Sequence, residues 1–486
     1  MKSGDRYYSE KVIPFINKIK VKTDKYIERG KYDKAMDGVS VAADVLYETN
    51  QYLLDPALEK QIVKIAEHFA FSPETKPDRK KILFYDGFGL DNRGLAKIYL
   101  KCLVKRYEVV YCTLKRYKEN IPEILSILGE KSKKYFIDEK EYGRKVKTVS
   151  EIINKENPSD MFIYVFPSDV AAITAFTAYK GAGKRYLINL TDHAFWLGNN
   201  SFDTLIEFRD YGGYLSFSDR KVDKDKIVKI PMYPEINMNN EFAGFPFPFD
   251  EKKQKLFFSG GALYKTEGKN GEYYKLLDRL LDKLPSTVFW YAGTGDDAGL
   301  KTLKAKFPDR VYHTAERKDL YAILSKCAFY LSTYPICGNL MTQYAAAAGV
   351  VPLTLKNGND GSGSLKNQDK LGFEFEDEDA LIFEAEKLVT DDVYLESKKT
   401  EFIDSVFKKE DFELALFDLV EKNVKTFGIT TDFKKDDFNT VYLERVKFGL
   451  IACCVAKPRR KSVFDYPVYY FGGCMIKAFR KICDKK

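Results

Sequence analysis

Apolar and polar positions along the chain change their rhythm twice. In the first 75 residues apolar side chains recur at spacings of three and four, in ERGKYDKAMDGVSVAADVLYETNQYLL and again in ALEKQIVKIAEHF. That period predicts amphipathic helices, the last opened by Pro56. SPETKPDRKK, with two prolines and six charges, interrupts the pattern as a linker. Beyond it, short unbroken apolar runs alternate with helix-length amphipathic stretches. KILFYD, YEVVYC, KYFID, MFIYVF, RYLINL and YLSFS are strand candidates. After the Pro- and Asn-rich break MYPEINMNNEFAGFPFPFDEKKQ the same rhythm resumes with KLFFSG, TVFWYAG, VYH, AFYLST and VVPLTL.

Strand–helix alternation predicts right-handed βαβ units and parallel sheets. Two successive blocks of it predict an α/β protein with two Rossmann-like domains facing across a cleft. The expected organisation is a helical region over 1–75, a first Rossmann-like domain over 80–235 and a second over 250–400. A helical segment over 401–440 and a basic amphipathic tail over 441–486 follow. A chain of 486 residues has room for about three domains of roughly 150 residues. In open α/β sheets ligands bind beyond the carboxyl ends of the strands, so chemistry is sought there.

Composition changes this picture in three places. The net charge of +8 is confined to residues 441–486, which hold eleven Lys/Arg against three Asp/Glu and leave 68 of each sign elsewhere among the 79 and 71. A neutral body argues against nucleic acid as a partner. The longest apolar run of the tail, FGLIACCVA, is too short to span a bilayer, but the tail suits the interface of an anionic membrane; packing back on the first domain is the other expectation for it. The start, MKSGDRYYSEKV, lacks the apolar core of a secretion signal. The eight cysteines show neither CxxC pairs nor His partners at ligand spacing. The expected setting is therefore cytoplasmic, peripheral to the membrane at most, with no metal and no cofactor. Abundant Tyr, Phe and Lys suit a low-GC bacterium.

Four segments carry candidate chemistry. FYDGFGLDNRG leads from a strand into a Gly-rich loop; without GxGxxG it is a weak dinucleotide signal, and its Gly89, Asp91, Asn92 and Arg93 either line an acceptor site or make a tight turn. FFSGGALYKTEGK ends a strand at Gly260 and Gly261, with Lys265 four residues on. Exposed amides and one cation suit a diphosphate, although a solvated turn would look the same. In VYHTAERKDLYAILSKCAFYLSTYPICGNLMTQYAAAAGVVPLTL, Thr314 and Arg317 follow one strand. Pro335 and Gly338 follow the next, before a small-residue helix with Asn339, Thr342 and Gln343 at its mouth. Free amides there suit an anion. Finally, NLTDHAFWLGNNSFD places one of three histidines, His193, and one of two tryptophans, Trp196, just past the RYLINL strand. His193, oriented by Asp192, is a candidate general base. Trp196 either faces a sugar or pins the loop to the core. His68, on a helical face, reads as structural.

The layout of this third segment resembles the nucleotide-sugar half of GT-B glycosyltransferases, and the glycine pair with Lys265 resembles their diphosphate loop. WLGNNSFDTLIEFRDYGGYLSFSD and LSTYPICGNLMTQYAAAAGVVPLTL are similar to stretches of the peptide O-GlcNAc transferase group. The resemblance covers roughly residues 80–400. It implies a metal-independent transferase using a nucleotide-diphosphate sugar, UDP-linked, on a glycan, lipid-linked or protein acceptor in bacterial surface-polysaccharide or glycoconjugate synthesis. The two glutamates eight apart that retaining members carry would fall on Ile336 and Tyr344, which implies an inverting enzyme. A non-catalytic GT-B-like partner subunit and a sugar-nucleotide 2-epimerase are the alternatives. The helical start resembles one or two tetratricopeptide units, fewer than the about three a repeat array needs.

Overall fold

The computed structural model describes residues 6–91, 95–236, 240–268 and 270–433, and beyond them residues 467, 471–472, 474–475 and 478. Asn92, Arg93 and nearly all of the basic tail lie outside the described residues.

Helices Ile13–Glu28, Tyr32–Thr49 and Pro56–His68 open the chain. Asn50 ends the second in a left-handed conformation (φ 44°) that Asn tolerates. Asp55 caps the third by accepting from the amides of Ala57 and Leu58, with Pro56 at its first position. His68 stacks on Tyr32 with ring centroids 4.1 Å apart.

The first sheet holds β1 (Asp78–Asp86), β2 (Glu108–Leu114), β3 (Lys133–Ile137), β4 (Pro158–Tyr164), β5 (Lys184–Ile188), β6 (Thr204–Glu207) and β7 (Ile227–Lys229) in the order β3-β2-β1-β4-β5-β6-β7. The second holds β8 (Lys255–Gly260), β9 (Thr287–Ala292), β10 (Val311–Thr314), β11 (Cys327–Leu331), β12 (Val351–Leu355) and β13 (Glu374–Phe375) in the order β10-β9-β8-β11-β12-β13. All pairings are parallel. Helices cover both faces, which is why the strands read as unbroken apolar runs. These are the two Rossmann-like domains the pattern predicts.

One strand candidate is a correction. YLSFS belongs to the helix Asp210–Ser218. Its aromatic, β-prone composition is overridden by packing: a Cβ on Gly212 would meet the Glu207 carboxylate at 2.4 Å, and one on Gly213 would meet Ile429 at 2.2 Å. The two glycines let this helix press against buried charge.

The chain then crosses back. Phe412, Leu416 and Phe417, from the helix Lys409–Phe417, are buried in the core of the first domain beside Tyr99 and Phe162. No helix among the described residues is long and apolar enough to cross a membrane.

Candidate functional site

A parallel sheet opens a crevice where successive strands leave on opposite sides. In the second domain that point lies between β8 and β11. There the Gly260–Lys265 turn and the Tyr334–Gly338 turn meet, joined by the Ile336 amide donating to the Lys265 carbonyl at 3.3 Å. Gly261 adopts φ +124°, a conformation for glycine, and a Cβ on Gly293 would lie 1.9 Å from its carbonyl oxygen. So the Gly293–Gly295 turn after β9, which carries no motif in the sequence, packs directly against the Gly260–Lys265 turn. Lys265 is half-buried, and its ammonium has no carboxylate partner among the described residues. Behind it begins the helix Asn339–Ala347, whose first amides, Gly338 to Met341, have no acceptor among the described residues.

The other predicted donor-side residues divide. Thr342 is buried in the helix mouth and Asn339 accepts from the Ser364 hydroxyl at 2.7 Å. Gln343 turns away: its amide donates to the carbonyls of Met232 (2.9 Å) and Ser364 (3.0 Å), tying the helix to the interdomain linker. Arg317 grips Asp319 through two bonds of 2.8 and 2.6 Å, and Asp319 accepts from the Ala243 amide. Its guanidinium holds the linker. Thr314 accepts from the Trp290 indole at 3.0 Å, and Pro335 closes a cis peptide with Tyr334.

Facing this crevice is the loop that follows β5. Asp192 is fully buried, and His193 Nδ1 lies 3.0 Å from its Oδ1. Arg209, just past β6, is 1% exposed and clasps both Asp192 oxygens. Its remaining Nη1 donates across the cleft to Asp360 at 3.1 Å, and Asp360 in turn accepts the Cys337 amide at 2.7 Å. A chain of contacts thus runs from His193 to the turn before the helix Asn339–Ala347. Burial alone would raise the Asp192 carboxyl, but Arg209 and His193 hold it below the usual carboxylate range. An ionised Asp192 accepts only, so Nδ1 of His193 donates and the basic lone pair belongs to Nε2.

The loop is fixed from behind. Asn50, at the end of the second N-terminal helix, donates to the His193 carbonyl and accepts from the Phe195 amide, both at 2.9 Å. Glu59 accepts from the amides of Gly198 and Asn199; burial pushes its carboxyl up to about 7. Arg220, also buried, donates to the carbonyls of Asp192 and Ala194 and covers the Trp196 ring at 5.0 Å. Trp196 is 5% exposed and packs edge-on to Phe202. Its place is the core beneath the loop. Glu207 accepts from Asn189 and Ser216, and burial raises its carboxyl to about 7.

At the carboxyl end of β1, Gly89 is buried with φ +58°, its amide bonded to Asp86, and a Cβ there would collide with Tyr117 at 2.3 Å. Asp91 caps the helix Pro122–Leu128 through the amides of Glu123 and Ile124. Both serve the turn's geometry.

No family model matches the chain, and no curated protein matches it. Solved structures do. A variant of the Thermobaculum terrenum O-GlcNAc transferase is 15% identical, over 89% of this chain and 83% of that one, with a TM-score of 0.54. A glycosyltransferase from Rickettsia africae is 12% identical, over 72% and 100%, with a TM-score of 0.52. The fold is GT-B. S. aureus MnaA, solved with UDP, is 13% identical over 73% and 100%, at a TM-score of 0.48. In this GT-B chain Ile336 sits in an apolar cluster with Tyr211 and Leu215 across the cleft, and Tyr344 donates to the Glu235 carbonyl. Neither position offers a carboxylate. Among the described residues no group of three or more His, Cys, Asp or Glu is placed to hold a metal ion.

Proposed function

We propose that this protein is a metal-independent, inverting glycosyltransferase. It moves a sugar from a nucleotide-diphosphate donor, UDP-linked, to an acceptor hydroxyl in bacterial surface-polysaccharide or glycoconjugate synthesis. The observation that carries the reading is the contact chain His193–Asp192–Arg209–Asp360–Cys337, which couples a candidate base on one domain to the donor helix of the other. His193 Nε2 takes the acceptor proton as the acceptor oxygen bonds to the anomeric carbon and the bond to the diphosphate breaks. The electron pair leaves on UDP, where Lys265, the Gly260–Gly261 turn and the amides of Gly338 and Asn339, with Thr342 beside them, receive the charge. Donors already aimed at developing charge commonly supply the largest catalytic term. Incubating the protein with UDP-sugars and candidate acceptors tests the reading. Transfer or slow donor hydrolysis supports it; epimerised donor, or no turnover with any donor, overturns it.

Replacing Lys265 with Ala is expected to weaken UDP binding by about 1–3 kcal/mol, the range of a charged hydrogen bond. Calorimetry on the folded variant checks it, and an unchanged affinity removes Lys265 from the donor site. Residues 441–486 complete the proposal as a dock for the anionic membrane face that carries lipid-linked acceptors, each basic residue contributing roughly 1 kcal/mol. Full-length protein is expected to float with anionic vesicles at low salt while a chain ending at residue 440 does not. Equal behaviour of the two would remove the dock.

A further inference from the structure

The chain has a second topological switch point, between β1 and β4 of the first domain. The donor crevice occupies the one between β8 and β11; above the other lies a cavity of about 380 Å³ that the proposed reaction leaves without a ligand. Gly87, one residue past β1, opens its floor. A Cβ there would stand 3.1 Å from Asp169 Oδ2 and narrow the space. Arg116 and Tyr117 enter from the end of β2, and Tyr142 and Lys145 from the helix Tyr142–Glu156. The N-terminal helices close the back through Ser40.

The lining has a definite chemistry. Arg116 is exposed and has no carboxylate partner among the described residues; it lies 4.7 Å over the Tyr117 ring and donates to that hydroxyl at 2.8 Å. The Lys145 ammonium stands 5.8 Å from the centre of the Tyr142 ring. The acid of the pocket, Asp169, faces inward, accepting from the Tyr85 hydroxyl at 3.0 Å and the Ala172 amide at 3.3 Å. Arg116 and Lys145 thus line the pocket together with the already engaged carboxylate of Asp169, flanked by the rings of Tyr117 and Tyr142. Ligand pockets run from roughly 300 to 1,000 Å³, so this one suits a single ring and not an extended chain.

We infer that this pocket binds one anionic sugar residue, bearing phosphate or carboxylate. Its charge rests on Arg116 and Lys145 and its ring lies against Tyr117 and Tyr142. Calling that sugar the acceptor rests on the transferase reading above; the pocket's preference for an anionic ring does not.

Calorimetry on the full chain, with the donor site saturated by UDP, tests it with four probes: N-acetylglucosamine 1-phosphate, glucuronic acid, uncharged N-acetylglucosamine and inorganic phosphate. At least one anionic sugar is expected to bind tenfold or more tighter than the uncharged sugar and than inorganic phosphate, and which one does so separates phosphate from carboxylate. Arg116→Ala combined with Lys145→Ala is expected to weaken that binding at least tenfold while UDP affinity stays within twofold. Arg116→Glu, a change at the exposed rim, gives a second variant should the double one fold poorly. The inference is overturned if the uncharged sugar or inorganic phosphate binds as tightly, if neither anionic sugar binds at millimolar concentration, or if the variants leave binding unchanged. A chain that fails to bind UDP but still takes the anionic sugar sinks the transferase reading and leaves this one standing.

Discussion

His193→Ala is expected to lower turnover by about 10²–10⁴-fold, the range a positioned general base supplies, with UDP affinity intact. The substitution isolates the imidazole. What fixes the loop is the backbone: Asn50 bonds the His193 carbonyl and the Phe195 amide, and Glu59 bonds the amides of Gly198 and Asn199. All four bonds survive truncation at Cβ, so the loop keeps its shape while the base is gone. Asp192 remains paired with Arg209 through both oxygens, so no buried charge is stranded. Steady-state kinetics with the productive donor and acceptor measure the loss, and calorimetry with UDP checks that the donor half is untouched. Turnover within a few-fold of the parent would make His193 a loop residue and leave the transfer without this base.

Much of this arrangement was legible in the sequence because both sheets are parallel and covered on both faces. The middle of a strand such as KILFYD must then be apolar, and nine of the runs read as strand candidates for that reason overlap strands between β1 and β11, with VVPLTL at β12. β6, β7 and β13, of four, three and two residues, are too short to show a pattern. The helix Asp210–Ser218 was hidden for the opposite reason, since its residues favour a strand and only contact with Glu207 and Ile429 selects a helix. At the site, His193 and Asp192 were visible as rare chemistry at a strand's carboxyl end. Arg209 and Asp360 were not: they meet across 151 residues of sequence, and each reads locally as one more charge in a loop. Arg317 illustrates the converse. A cation at a strand end looks free for a phosphate until its own neighbour, Asp319, is seen to take both of its arms.

Arg209 bridges the two sides of the cleft from a buried position. It is 1% exposed and lies between two carboxylates, on Asp192 and Asp360, that are themselves nearly inaccessible. Burial opposes its charge, but those two acids raise its pKa above the ordinary arginine value. Arg209→Met removes the guanidinium that lies between these two carboxylates and leaves both buried without it. Breaking a buried ion pair from one side costs about 3–5 kcal/mol, so this variant is expected to lose stability by that order, read as a fall in the denaturant midpoint. Arg209→Lys separates stability from catalysis. A lysine keeps the charge but offers a point in place of a planar fork, and so cannot hold both Asp192 oxygens and reach Asp360 together. Asp192 is then free to swing, and His193 loses the acceptor that fixes its tautomer. The expected result is a folded protein with near-normal UDP affinity and a kcat reduced by roughly 10–100-fold, less than the loss of the base itself. If Arg209→Lys keeps full turnover, the contact from Asp192 across to Asp360 only clamps the two domains, and the base does not depend on it.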